Sequence, residues 1–272
     1  MYLWRKSATP HWLNSKAIVG LAVIERPGRK RLQLEICCKS ATQARRLVDE
    51  FGGHFEKLPR DWLERFSREQ ESEPIKIGKR LVIVRSKVGG TSVSRMRTES
   101  RHKGPSHLVI PAGAAFGTGD HVTTAMSLRL LEEISRNLKP GWSLVDLGTG
   151  SGILALAAKR FGASRVIAID NDRQAIKTAK ANTRTNRIHR IDFRIDDVRR
   201  WQSPRKVDIV AANLFSELLI EILPKLKCAH RLILSGILRT QERAVRRALR
   251  TNKIDIVRVR RRGKWTAILA KL

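Results

Sequence analysis

The residues best able to do chemistry stand in one run, Val145-Asp146-Leu147-Gly148-Thr149-Gly150-Ser151-Gly152. The apolar Leu144, Val145 and Leu147 read as the end of a buried strand, and the alanine- and leucine-rich stretch from Ser151 to Arg160 reads as a helix. Three glycines between them allow a tight turn and let a ligand approach the backbone. The helix start adds free backbone N–H groups and the positive end of a dipole. A dinucleotide fingerprint would need glycine at the first, third and sixth positions. Counted from Gly148, the sixth position is Ile153, and the third glycine falls at the fifth, Gly152. Asp146, two places before the first glycine, would repel a pyrophosphate but suits a ligand with a cationic amino-acid end. The next strand, Val166-Ile167-Ala168-Ile169, ends in Asp170, 22 residues past Gly148, where a carboxylate can accept both hydroxyls of a ribose. Together these features point to S-adenosyl-L-methionine rather than a nicotinamide dinucleotide.

The elements around this run alternate. After Asp170 come a helix from Arg173 to Thr183, a strand from Asp192 to Ile195 and the carboxylates Asp196-Asp197. A strand from Val207 to Ala212 ends at Asn213, and a helix from Ser216 to Lys227 follows. Then a strand from Arg231 to Ser235 leads into a basic helix, Arg239–Arg250, and two strands, Ile254–Arg260 and Trp265–Ala270, close the chain. Strand and helix in alternation mean a mostly parallel sheet covered on both faces, ending in an antiparallel hairpin. Ligands in such sheets bind beyond the strand C-termini, where Gly148, Asp170, Asp197 and Asn213 all fall. Before the central strand, three glycines in residues 113–119 precede Asp120, which reads as the cap of a helix running to Leu138, with Thr123 and Thr124 in its first turn. Such a loop is built to close over a ligand.

Residues 1–57 read as a separate small α+β domain of β-β-α pattern: strands at Ala17–Glu25 and Arg31–Cys37, then a helix Ala41–Phe51 capped by Ser40 and stopped by Gly52-Gly53. Residues 58–78 read as a linker with a short helix from Trp62 to Glu69, and residues 79–272 as the ligand-binding domain. The stretch Ser86–His107 reads as an exposed basic loop or hairpin.

Composition bounds the partners. With 55 Lys+Arg against 25 Asp+Glu, the net charge is +30, which argues for a polyanionic partner or a nucleic-acid setting. Arg239, Arg243, Arg246 and Arg250 fall on one face of the expected helix and invite a phosphate-backbone contact. Three cysteines give neither a disulfide framework nor zinc spacing, so no metal is expected and the cytoplasm is the natural compartment. No apolar run is long enough for a membrane span.

Phe116-Gly117-Thr118-Gly119-Asp120-His121-Val122-Thr123-Thr124 resembles the loop of the PrmA methyltransferases. The resemblance continues through Asp146–Leu156, Ile169-Asp170-Asn171-Asp172, Ala212-Asn213-Leu214-Phe215-Ser216-Glu217-Leu218 and Leu234-Ser235-Gly236-Ile237-Leu238, and covers roughly residues 58–272. It implies a class I S-adenosyl-L-methionine-dependent methyltransferase, Rossmann-like with a seven-stranded sheet, that N-methylates lysines, and with them the N-terminal amine as a further acceptor, of a ribosomal protein at the large-subunit stalk base. It also implies a small N-terminal domain that holds the protein substrate. On the resemblance Thr124, Gly148, Asp170 and Asn213 contact the cofactor, with Asp146, Gly150 and Gly152 in the same turn. Asp197 is our addition, as a contact to the adenine amino group. Asn213 is the candidate catalytic residue, able to aim a carbonyl oxygen at the acceptor amine but no base. His121 is the one nearby titratable group, and capping or packing suits it better. The competing readings are a ribosomal RNA methyltransferase and a lysine methyltransferase acting on another protein such as electron-transfer flavoprotein. Base-methylating enzymes usually carry Asn or Asp followed by Pro-Pro and an aromatic, and here Leu214 takes the place of the first proline.

Overall fold

The computed structural model describes residues 2–9, 22–24, 32–38, 40–58, 74–84, 104–111, 119, 121–202 and 205–272. The chain divides into two compact units, Met1–Glu69 and Gln70–Leu272. The helix expected over Trp62–Glu69, most of the basic loop and the loop residues 112–118 and Asp120 lie outside the described residues.

Among the described residues, the first unit has a four-stranded antiparallel sheet and one helix. Its strands are β1 (Tyr2–Ala8), β2 (Ala22–Ile24), β3 (Leu32–Cys38) and β4 (His54–Lys57), in the order β2-β3-β1-β4. Helix α1 (Ala41–Phe51) starts where the Ser40 side chain accepts the Gln43 N–H, and ends where Gly52 turns at φ +71°. The expected β-β-α pattern thus gains two strands. β1 escaped notice because Arg5 and Lys6 break its apolar look, yet alternation still sends Trp4 and Ala8 into the core with Leu34, Ile36 and Cys38. Arg5 answers on the other face, paired with Glu35 and Glu56.

The second unit opens with a small sheet, β5 (Ile75–Ile77), β6 (Leu81–Val84) and β7 (Ser106–Val109). Of these only β6 was expected; β5 lies in the expected linker and β7 begins within the expected basic loop. The main sheet has β8 (Ser143–Leu147), β9 (Arg165–Asp170), β10 (Ile191–Ile195), β11 (Val207–Asn213), β12 (Ala229–Leu238), β13 (Asp255–Arg262) and β14 (Trp265–Lys271). Its order is β10-β9-β8-β11-β12-β14-β13, parallel from β10 to β12 and antiparallel at β14 and β13. The strand order reverses between β8 and β11, which opens a crevice at their C-terminal ends.

Among the described residues, five helices cover this sheet: α2 (Val122–Ser135), α3 (Ile153–Arg160), α4 (Arg173–Thr185), α5 (Ser216–Ile222) and α6 (Glu242–Thr251). His121, not the expected Asp120, occupies the N-cap of α2, which stops at Ser135, short of Leu138. α5 ends early because Pro224 forces a 3₁₀ turn over Leu223–Cys228. α6 begins at Glu242, so Arg239 precedes it and the expected four-arginine stripe shrinks to Arg243, Arg246 and Arg250.

Two cores sandwich the sheet. Leu144, Ala168, Ile209, Ala211 and Ile233 point towards α2 and α3. Their neighbours Val145, Ile169, Val210, Ala212 and Leu234 point towards α5 and α6. With a period of two, Asp146, Asp170, Asn213 and Ser235 must all stand on the α2–α3 side at the C-terminal edge. Alternation alone therefore gathers the polar groups of four strands.

Glu242, on α6, is a buried anchor. It accepts two hydrogen bonds from Arg261, at 2.5 and 2.7 Å, and others from Arg246 and Thr266, and these hold its carboxyl down at about 2. A depressed carboxylate stabilises the fold above its unfolded value of 4.5 and loses that contribution as pH falls towards 2. We expect Glu242→Gln to cost about 1.5–3 kcal/mol near neutrality, the scale of hydrogen bonds to a charged group. Thermal unfolding across pH checks it, since the deficit must shrink below pH 4.5; a constant deficit would refute the charge-based account.

Candidate functional site

The turn from Gly148 to Gly152 is stapled to β9. The N–H groups of Gly148 and Thr149 both donate to the Ile169 carbonyl at 2.9 Å, and Gly150 N–H donates to Asp170 Oδ2 at 2.9 Å. Gly152 caps α3 at φ +81°, where a Cβ would meet the Cβ of Ala179 at 2.9 Å. That glycine is a packing requirement between α3 and α4. Asn182 adds a tie from α4, donating to the Ser151 carbonyl at 2.8 Å.

Asp170 stands at the tip of β9 with one backbone donor on each oxygen, Gly150 on Oδ2 and Asp172 on Oδ1. A carboxylate offers about four lone-pair sites, so acceptor capacity remains on both oxygens for a pair of hydroxyls. The next turn follows closely, with Asp196 N–H donating to the Asp170 carbonyl at 3.1 Å. Asp197 lies there half-buried, its Oδ1 accepting the Arg199 N–H at 2.9 Å. That bond and the Arg199 guanidinium hold its carboxyl below the usual range. Arg199 is itself shared with Glu221 at 3.1 Å.

Asp146 differs from its neighbours: it is fully buried beneath the turn rather than exposed at the crevice. Thr149 Oγ1 donates to its Oδ2 at 2.6 Å, while Oδ1 has no partner among the described residues. Burial pushes its carboxyl up to about 7, against the Thr149 and Ala155 hydrogen bonds that favour the charge. Buried so, it could act on a ligand above the turn only as a field and not as an open contact.

On the other side of the crevice, Asn213 ends β11. Its Nδ2 lies 3.5 Å from Thr124 Oγ1, and its Oδ1 is buried without a partner among the described residues. Thr124 is 1% exposed in the first turn of α2. A buried carbonyl oxygen left without a donor is costly, and a ligand N–H would satisfy it. His121, at the start of α2, places Nδ1 2.7 Å from Thr123 Oγ1 and its ring edge-on to Trp265 at 5.0 Å. Burial, then the Lys264 ammonium, lower its pKa, so the ring is neutral at pH 7.

Sequence reasoning missed three supports. The Thr149 hydroxyl steadies Asp146. Ser235 Oγ donates to the Thr123 carbonyl at 3.2 Å, tying β12 to the start of α2. Leu214 lies so close that a Cβ on Gly148 would come within 2.4 Å of its Cδ2, and one on Gly236 within 2.3 Å of its carbonyl oxygen. The sequence carried one signal of this, a glycine directly after a buried strand end at Ser235-Gly236.

A family model described as ribosomal protein L11 methyltransferase (PrmA) matches residues 31–272. The chain is 41% identical over 175 residues to a ribosomal protein L11 methyltransferase of Desulforapulum autotrophicum, covering 62% of this chain and 57% of that one. It is 36% identical over 204 residues to one of Symbiobacterium thermophilum, covering 72% and 62%. It thus spans about three-fifths of the length of these curated relatives. A crystal structure of a ribosomal protein L11 methylase from Lactobacillus delbrueckii subsp. bulgaricus superposes with a TM-score of 0.61 at 27% identity, over 74% of this chain and 98% of that one.

The covered Asp146 generates a stability prediction. A carboxylate raised from 3.8 to about 7 costs the ligand-free fold stability as pH rises through that window. We expect Asp146→Asn to raise the melting temperature of ligand-free protein at pH 8 and to lose most of that advantage as pH falls to the unfolded value of 3.8. The gap should be on the order of a few kcal/mol. Equal effects at both pH values would mean that the carboxyl does not titrate there.

Proposed function

The chain belongs to the ribosomal protein L11 methyltransferase (PrmA) family, and from that premise we propose that it N-methylates lysine side chains of the large-subunit stalk-base protein, using S-adenosyl-L-methionine. The observation that carries this reading is the pairing of Asp170, with acceptor capacity to spare, and Asn213 Oδ1, buried and without a donor among the described residues, on one sheet face. The residues fit the cofactor: glycine backbone at the turn, a ribose-competent carboxylate at Asp170, a buried anionic group at Asp146 and an amide at Asn213. Thr124 contacts the cofactor from the opposite wall, and Asp197 takes the adenine amino group.

When bound, the cofactor supplies an electrophilic sulfonium methyl. The protein then has to present a neutral amine in line with it and keep water out. Asn213 Oδ1 accepts an N–H of the target amine and so aims its lone pair. Thr124 and Ser235 hold that amide and the start of α2 in place. Residues 1–57 hold the substrate protein. A ribosomal substrate places the reaction in the cytoplasm, and the surplus positive charge fits a ribosomal RNA contact during it.

An RNA base fits the acceptor site less well. The Asn-Pro-Pro-aromatic pattern puts its ring three places after the Asn, and that place is held by the small, buried Ser216. Transfer of labelled methyl to a ribosomal-protein fraction, set against bare ribosomal RNA, separates the two. Label on RNA alone would overturn the proposal.

Two substitutions test the roles. Asp170→Ala should weaken S-adenosyl-L-methionine binding by a few kcal/mol, since each hydrogen bond to a charged group contributes about 1.5–3 kcal/mol. Calorimetric titration reads this, and an unchanged affinity removes Asp170 from the site. Asn213→Ala should reduce turnover by more than it reduces cofactor affinity if the amide orients the amine. Equal losses in both would leave Asn213 as a cofactor-holding residue only.

A further inference from the structure

At the end of α2 remote from the site lies an open groove of about 490 Å³, edged by Lys79, Arg80, Ser135 and Arg136 over a floor that includes Phe161. We propose that this groove is a docking surface for the phosphate backbone of RNA. α2 begins at the site with Thr124 and runs 14 residues to Ser135, so roughly 15–20 Å separate the two. RNA in the groove would leave the crevice free for a protein substrate.

The charges in the groove are held in place and poorly compensated. The half-buried Arg80 carries its guanidinium 4.7 Å above the Phe161 ring and donates to Ser135 Oγ at 3.0 Å. Among the described residues it has no carboxylate partner, and most of its five donors remain available. A guanidinium already held over a ring loses little freedom on binding a phosphate. The exposed Lys79 ammonium likewise has no ion-pair partner among the described residues. Arg136 shares Glu132 at 2.6 Å, and that carboxylate is nearly buried. The C-terminal ends of α2 and α3 meet here and contribute about half a negative charge each. Three full cations against one carboxylate and two partial charges leave the groove positive.

The arginines beyond α6 present a different picture. Arg246 and Arg261 converge on Glu242, and Arg258 and Arg260 on Glu133. Arg243, Arg247 and Arg250 remain exposed on a convex helix. α6 belongs to the opposite core from α2 and α3, so one short RNA segment cannot lie along both surfaces. The choice of RNA over a free anion rests on the ribosomal reading above and on the open form of the groove.

The test is binding of a fluorescein-labelled RNA hairpin to the full chain, measured across a salt titration. Each lost phosphate contact should flatten the log–log slope by about 0.7–0.9. Lys79→Gln with Arg136→Gln should therefore flatten it by about 1.4–1.8 and weaken binding roughly 30-fold at 0.1 M salt. Lys79→Gln alone, at an exposed side chain with no ion pair to break, should flatten it by about 0.7–0.9 and keeps the test open if the double variant misfolds. Unchanged slopes in both, with a loss in Arg243→Gln/Arg247→Gln/Arg250→Gln, would overturn the proposal in favour of α6. Saturation by inorganic phosphate with no RNA binding would overturn it in favour of a small anion. Groove-dependent RNA binding without methyl transfer to ribosomal protein would support the groove and count against the proposed reaction alone.

Discussion

Three strand ends can meet at this site only because two residues lack a side chain. Leu214 fills the space between β8 and β12, its side chain against Gly148 and its carbonyl against Gly236. Both glycines sit at positive φ, +72° and +84°, so the conformation and the contact demand the same residue. With Leu214 seated, its N–H donates to the Ser235 carbonyl at 3.0 Å, and β11 is locked in register with β12 through Asn213 and Ser235. The position of Asn213 therefore follows from backbone packing. Its own side chain contributes one weak 3.5 Å contact to Thr124, which leaves the carbonyl oxygen for another partner. A residue fixed by its backbone can keep an unsatisfied side-chain atom, and that is how a fold stores a polar group for a ligand.

The two aspartates of the crevice divide the electrostatic work by burial. Asp170 is anchored by two backbone N–H groups and remains open to solvent on its free lone pairs. Asp146 is sealed beneath the turn with one oxygen bonded and one not, and the Asp170 charge adds to the burial that resists its ionisation. A cation bound above the turn would favour the ionised form of Asp146, so on the proposed reading cofactor and proton compete through the glycine turn. An exposed carboxylate in that place would already be charged and could not be coupled in this way.

What could be read in the sequence followed period and punctuation. The alternation of β8, β9, β11 and β12 and the glycine spacing placed Asp170 and Asn213 at strand ends, as the structure has them. Ser40 and Gly52 marked α1 to the residue. The strands β4, β5 and β7 were not legible because each is only three or four residues long and carries a His or Lys. Asp146 was legible as a functional carboxylate, but not as a covered one, because coverage depends on how α3 packs over the turn. The Ser235–Thr123 bond spans 112 residues and has no local signature. Contacts of that kind are decided by the packing of whole elements, and no window of sequence contains both partners.

The charge of the chain raises a question that pairing cannot answer. With 55 cations and 25 anions, thirty positive charges are left uncancelled however the chain folds. Self-repulsion of that size works against the compact state. The structure limits the damage by doubling up: Glu242 and Glu133 each hold two arginines, and Glu242 keeps its charge to about pH 2. Doubling leaves every second arginine of such a pair under-compensated, so it redistributes the excess without removing it. Salt screens that excess, and bound anions neutralise it. Any partner that binds the folded chain more tightly than the unfolded one adds its binding free energy to stability. On the proposed reading, a polyanion bound to this surface would therefore add to the stability of the methyltransferase fold.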